Sequence, residues 1–356
     1  MVKADYQYAM IKEITEEPQA VRATLNLASG DVRSVASSVY ERDFHVIYLA
    51  GSGTSYHASM IGQYVLSSLA NVMTSSLPAS EFASWVPVSV GSRALLIAIS
   101  QSGESADMLA ATNVARQRGM SVLAITNTAE STLTKNADYA LLTYAGDENA
   151  VTATKSYVTT LVVLNMLAIE LGKRRMNRIE QVDSFDKQLQ QTPDLLTRTV
   201  GLTRQVEELA NALKEKSVFF VLGSRVNFAT ALEAALKLKE SCNLYAEGFA
   251  SREFLHGPMQ LVDERTPVFM VATPGELSHL TPLSQSFRRF KAPVVWVSGG
   301  EADMPRTETL IRLPVAINDL LSPLFYIIPF QLFAYHSSVA RGLNPDRPDK
   351  LRKVVR

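Results

Sequence analysis

Lys237, Glu240 and His256 fall within "ALEAALKLKESCNLYAEGFASREFLHGP" (231–258), a stretch dense in ionisable groups for so apolar a chain. The spacing predicts Lys237 and Glu240 on one helix, three residues apart and therefore neighbours on one face. His256 precedes Gly257-Pro258, a turn that sets an imidazole at the end of a loop. An ammonium, a carboxylate and an imidazole make an acid-base set suited to moving a proton beside a carbonyl carbon. Singly, each has an ordinary structural use, the first two as a surface ion pair. Their weight comes from two hydroxyl-rich loops elsewhere in the chain.

The stretch "SQSGES" (100–105) follows the apolar run "ALLIAI" and precedes a helix-like "ADMLAATNVARQRG". A second such loop, "GSGTS" (51–55), closes the run beginning "HVIYLA". In open α/β sheets, ligands sit beyond the carboxyl ends of the strands. A glycine-containing strand-to-helix turn offers backbone N–H groups and a positive dipole end to an anion, and serine hydroxyls add donors without adding charge. Ser100, Gln101, Ser102 and Ser105 are therefore expected to encircle a phosphate, with Ser52, Gly53, Thr54 and Ser55 facing the same crevice. Tyr56 stands where a dinucleotide fingerprint needs its third glycine, and no G-x-x-x-x-G-K-[ST] occurs. The five histidines are scattered without an H-E-x-x-H, so neither a metal nor another cofactor is expected. A small phosphorylated metabolite remains.

What must position these loops is an α/β framework. The 356 residues, 47% hydrophobic and 20% charged, are enough for two ordinary domains with substantial cores. Buried strands are read at 45–53, 94–103, 121–127 and 139–144, and the same cadence returns at 217–225, 267–275, 293–300 and 309–314 after a charged helical span, 180–215. Strand ends recur at matching intervals, Gly51 to Ser100 and Gly223 to Thr273, which argues for a duplicated α/β domain. Pro323 to Gly342 reads as one long closing helix, and "SPLFYIIPFQLFAY" (322–335) as more apolar surface than one lobe needs.

Lys plus Arg and Asp plus Glu are 35 each, so no overall field draws nucleic acid or an anionic membrane. The single cysteine, Cys242, excludes an internal disulfide and fits a reducing compartment. The N-terminus is not that of a signal peptide, and no apolar stretch approaches the roughly 20 residues of a membrane-spanning helix. A soluble, cytoplasmic protein is expected.

The ordered motifs "YAMIKEITEEPQAV", "GSGTSYHAS", "ASEF", "SQSGESAD", "VTATKSY", "ALKLKE", "EFLHGP" and the tail "PDKLRKVV" resemble the sugar isomerase (SIS) family almost end to end. Within it, the likeness is to the isomerase half of glucosamine-6-phosphate synthase and to the related deaminases. The resemblance implies two tandem SIS domains, each a flavodoxin-like three-layer sandwich: 1–195 with the phosphosugar lobe, 196–342 with the acid-base residues, and a catalytic tail, 343–356. It implies that Ser52, Gly53, Thr54, Ser55, Ser100, Gln101, Ser102 and Ser105 hold the sugar 6-phosphate and nearby hydroxyls, while the Val151 backbone contacts the sugar. Glu240 matches the base that moves a proton between C1 and C2, with Lys237 beside it. His256 matches the ring-opening residue, often supplied by the other subunit of a dimer, and Lys353 the tail lysine that forms a Schiff base.

The implied activity is isomerising deamination of glucosamine 6-phosphate to fructose 6-phosphate and ammonia in a homodimer. The alternatives are a fructosamine-type 6-phosphate deglycase, an aldose-ketose isomerase, or a sugar-phosphate sensor without catalysis. The sequence departs from the synthase pattern. No glutaminase segment with its nucleophilic cysteine is present, Asp349 replaces an arginine, and Arg352 replaces a small residue before Lys353.

Overall fold

The repeated cadence becomes two five-stranded parallel sheets. The computed structural model describes residues 6–175, 179–300, 309–314 and 316–355; the first five residues of the N-terminal reading and Arg356 of the tail lie outside these. In the first sheet β1 (Val46–Gly51), β2 (Met73–Pro78), β3 (Ala94–Ile99), β4 (Ser121–Thr126) and β5 (Tyr139–Leu142) take the order β2-β1-β3-β4-β5. The second sheet holds β6 (Val218–Gly223), β7 (Tyr245–Ala250), β8 (Val268–Val271), β9 (Val294–Gly299) and β10 (Thr309–Leu313), in the order β10-β9-β8-β6-β7. Counted from its own first strand, the second sheet repeats the 2-1-3-4-5 order of the first, the flavodoxin-like doubly wound arrangement.

Strands β3, β4, β8 and β9 are buried at every position, as continuous apolar runs covered on both faces require. Leu96, Met108 and Val122 centre one apolar core, and Phe220, Phe287 and Trp296 the other. The described residues form two compact units, those of 17–148, 155–193 and 352–355 around the first sheet, and those of 6–16, 149–154 and 194–351 around the second.

Two strands escape the sequence reading. β2, "MTSSLP", is an edge strand whose hydroxyls bind the helix Thr54–Ala70 instead of packing as apolar side chains: Ser76 Oγ lies 2.9 Å from Ser59 Oγ, and Gln63 accepts from Ser76 N–H. β7, "YAEGFA", is the matching edge of the second sheet, with its first residue exposed.

The closing helix is also not continuous. It divides at Ile327 into Pro323–Tyr326 and Ile328–Ala340, because Pro329 has no N–H to give the carbonyl four residues back. Residues 323–334 are buried within their own unit, so the apolar stretch fills a core and does not supply the surplus surface expected of it. Among the described residues no helix is long and apolar enough to cross a membrane.

Candidate functional site

The loop after β1 is shaped by two glycines. A Cβ on Gly51 would lie 2.5 Å from the Ser55 carbonyl carbon, so the helix Thr54–Ala70 can start this close only over glycine. Gly53, at φ 54° and ψ −123°, turns the chain into that helix. Ser52 and Gly53 are exposed, and Thr54 and Ser55 half-buried, at the carboxyl end of the sheet. After β3, Ser100 Oγ accepts the Gly103 N–H at 3.1 Å and Ser102 Oγ accepts the Glu104 N–H at 3.1 Å. Both amides are thereby used inside the loop. What the loop offers an anion is the hydroxyl protons of its serines, ahead of the helix Ala106–Gln117, not a full ring of amides.

The duplicate loops of the second unit offer an anion less than those of the first. Ala50 pairs with Ala98 as Leu222 pairs with Met270, which fixes the correspondence residue by residue. Counting on from these pairs, Thr54 and Ser55 become Val226 and Asn227, while Ser100, Gln101, Ser102 and Ser105 become Ala272, Thr273, Pro274 and Leu277. Gly53 becomes Arg225, held at φ 53° and ψ −129°. The backbone path is kept and most of the hydroxyls are gone. Nearby Glu276, its carboxyl pushed up by burial, adds an acidic group that an anion would avoid.

In the second unit the helix Val226–Cys242 carries Lys237, which is fully buried. Its Nζ lies 2.8 Å from Glu240 Oε2 and 3.1 Å from Glu233 Oε1, and donates to the Ala153 carbonyl at 3.2 Å. Two carboxylates and a carbonyl thus surround the ammonium. Burial pulls the Lys237 ammonium down, the two carboxylates outweigh it, and the net effect holds it above the ordinary lysine value. A lysine so held between two carboxylates is a fixed charge and a poor nucleophile. Glu240 also lines a pocket of about 350 Å³ bounded by Lys239, Asn243, Arg347, Lys350 and Leu351.

The segment 149–154 is pinned beside this cluster. Glu13 accepts the Asn149 and Ala150 N–H groups, Thr152 Oγ1 lies 3.0 Å from Ser241 Oγ, and Val151 N–H donates to the Asp346 carbonyl at 2.9 Å. The Asp346 carboxylate in turn accepts the Ala9 and Met10 N–H groups, which begin a helix. The Val151 N–H is therefore occupied, leaving its carbonyl as the contact it can make. His256 follows a short turn, Glu253–Leu255, and is exposed; among the described residues its side chain meets neither Lys237 nor Glu240.

Lys353 belongs to the first unit's set of residues, and its tail is tied there by two hydrogen bonds. Val355 accepts the Ala106 N–H at 3.3 Å, and Lys353 Nζ donates to Glu148 Oε2 at 2.8 Å. The sequence reading missed Glu148 and Glu233. Glu233 was within reach of it, standing one helical turn before Lys237. Glu148 was not, since its partner is 205 residues away.

A doubly wound protein with hydroxyl-lined loops after its first and third strands and a buried lysine-carboxylate cluster is the class these features define. The SIS domain model matches residues 42–170 and 212–341, and the chain belongs to this family, whose domains bind sugar phosphates. It is 38% identical over 355 residues to the isomerising glutamine–fructose-6-phosphate aminotransferase of Thermococcus kodakarensis, covering 99% of this chain but 58% of that protein. The chain thus spans a little over half the length of the curated relatives it matches. Among solved structures, the C-terminal domain of glucosamine-fructose-6-phosphate aminotransferase from Francisella tularensis superposes with a TM-score of 0.89 at 29% identity, over 98% of this chain and 100% of that one. Glucosamine-6-phosphate deaminase from Thermotoga maritima does so with a TM-score of 0.75 at 26% identity, over 98% and 99%.

Proposed function

We propose that the chain is a phosphosugar deaminase and isomerase, converting glucosamine 6-phosphate and water to fructose 6-phosphate and ammonia. The observation that carries this reading is the Glu233–Lys237–Glu240 cluster, in which a buried ammonium lies between two carboxylates and one of them reaches a pocket. In the reading, the loops at 52–55 and 100–105 hold the 6-phosphate and His256 opens the ring. Glu240 takes the C2 proton and returns it to C1, leaving a ketimine at C2. The C2–N bond to the amine then breaks, ammonia leaves, and water finally supplies the ketone oxygen at C2. Lys353 holds the keto carbon as a Schiff base during that exchange.

Cys242 is buried, donates to the Ala334 carbonyl, and its thiol is pushed up to about 12 by burial, so it is no nucleophile for an amide. A second reading draws on the pocket beside Glu240, since about 350 Å³ is more room than ammonia needs. A substituted amine would fill it, which is the deglycase reaction. With either substrate the enzyme is read as a cytoplasmic homodimer. The exposed His256 loop, flanked by exposed Leu255 and Leu261, is the surface proposed for the second copy.

The test is to incubate the protein separately with glucosamine 6-phosphate and with an N-substituted fructosamine 6-phosphate, following fructose 6-phosphate or glucose 6-phosphate and the freed amine. Ammonia from the first substrate supports deamination. Turnover of the second alone moves the assignment to a deglycase, and turnover of neither overturns both.

A further inference from the structure

Glu148 is a carboxylate with no exposed side-chain surface, set just before the helix Lys155–Arg175. Its Oε1 accepts the Ser156 N–H at 3.1 Å, and its Oε2 accepts the Ser156 hydroxyl at 2.7 Å and the Lys353 ammonium at 2.8 Å. Ser156 lies in the first turn of that helix, where the unpaired N–H groups and the dipole favour a negative charge. The carboxylate is therefore fixed from one side by a helix, and its Oε2 also reaches the tail lysine, itself only one quarter exposed. A buried carboxylate held so firmly costs several kcal/mol in desolvation unless it is paired. Here its cationic partner is three residues from the end of the sequence.

We propose that Glu148 is the positioning residue for Lys353 and takes up the proton its amine must lose. This rests on reading Lys353 as the Schiff-base lysine. In the step, the ammonium passes one proton to the Glu148 carboxylate, and the free Nζ bonds to C2 of the protonated ketimine. The C2–N bond to the original amine then breaks, ammonia carries away the proton held on Glu148, and water later hydrolyses the Lys353 Schiff base to ketone and amine. Glu240 takes no part, having finished its transfer between C2 and C1.

The separation of the two steps supplies the test. Glu148→Gln keeps the side-chain shape and an acceptor for Ser156 while removing the charge, and Glu148→Ala removes both. Each is compared with the unaltered protein in borohydride trapping with fructose 6-phosphate, read by peptide mass at residue 353, and in exchange of the C1 hydrogen of fructose 6-phosphate with deuterated water. The expected result is adduct at Lys353 in the unaltered protein, at least 10-fold less in both variants, and exchange within about threefold of normal. A loop merely disturbed by the substitution would lower exchange as well, since 149–154 packs against Lys237. Equal adduct in Glu148→Gln and the unaltered protein would overturn the role of Glu148. Absence of adduct from the unaltered protein would overturn the reading of Lys353, and the role of Glu148 with it.

Discussion

Glu233 and Glu240 flank one ammonium, that of Lys237, yet the Glu233 side chain has no exposed surface while that of Glu240 is 20% exposed. In the proposed reaction the two carboxylates therefore have separate duties. Glu233 compensates a buried charge, and Glu240 is the one that can meet a substrate. Glu240→Gln should lower kcat for ammonia release by about 10²-fold or more with little change in KM, since it removes the proton acceptor and keeps the shape. Glu233→Gln should act chiefly on folding, lowering stability by up to about 3–5 kcal/mol by stripping a buried cation of a counter-charge. Steady-state kinetics and thermal unfolding of the two variants separate these effects, and a Glu240→Gln enzyme of nearly normal turnover would remove that residue from the mechanism.

The same cluster sets a pH dependence. The Lys237 ammonium is held above its ordinary value, against the pull of burial, by Glu233 and Glu240. A group raised in the folded state contributes stability fully present below its unfolded value, about 10.4 for lysine, and lost as pH rises through the folded one. Urea unfolding should therefore show the contribution of this cluster constant up to about pH 10 and falling above it. The paired substitution Lys237→Met with Glu233→Gln should flatten that alkaline fall. An identical alkaline profile in that variant would contradict the account.

Much of this arrangement was legible in the sequence, and the rest was hidden for physical reasons. The central strands announce themselves because a strand covered on both faces must be apolar throughout, as "ALLIAI" is at β3. The edge strands β2 and β7 do not, since β2 satisfies its serines through Ser59 and Gln63. The Lys237–Glu240 pair follows from helical spacing, but the partnership of Glu148 with Lys353 is a tertiary fact that no local pattern encodes. The break at Ile327 was signalled by Pro329 and overridden in the reading by the apolar run around it.

The duplicated loops make a prediction about phosphate. A crystal grown with sulfate should hold the ion at the loops 52–55 and 100–105 and not around Arg225 and Thr273. Ser102→Ala should raise KM by roughly 10-fold or more, the worth of one hydrogen bond to a charged group at about 1.5–3 kcal/mol, while kcat changes little. Sulfate bound only at Arg225 would reverse the assignment of the two loops.

Cys242 should be inert in the folded protein. Burial pushes its thiol up to about 12, far above the range of reactive cysteines, and Sγ donates to the Ala334 carbonyl at 3.1 Å. Maleimide labelling at pH 7.5 should therefore wait for unfolding and follow its rate. Rapid labelling of native protein would mean that the helix Val226–Cys242 opens far more easily than its packing allows.

The central claim is that Glu240 carries a proton from C2 to C1 of an amino sugar phosphate that then loses its amine. Glucosamine 6-phosphate deuterated at C2 tests it most directly, with ammonia and fructose 6-phosphate quantified together and the ketose examined by NMR. The account expects the two products in equal amounts, with some of the deuterium retained at C1 and the rest lost to solvent from the carboxyl group. Ammonia released while deuterium stays at C2, or ketose formed with no ammonia, would contradict it.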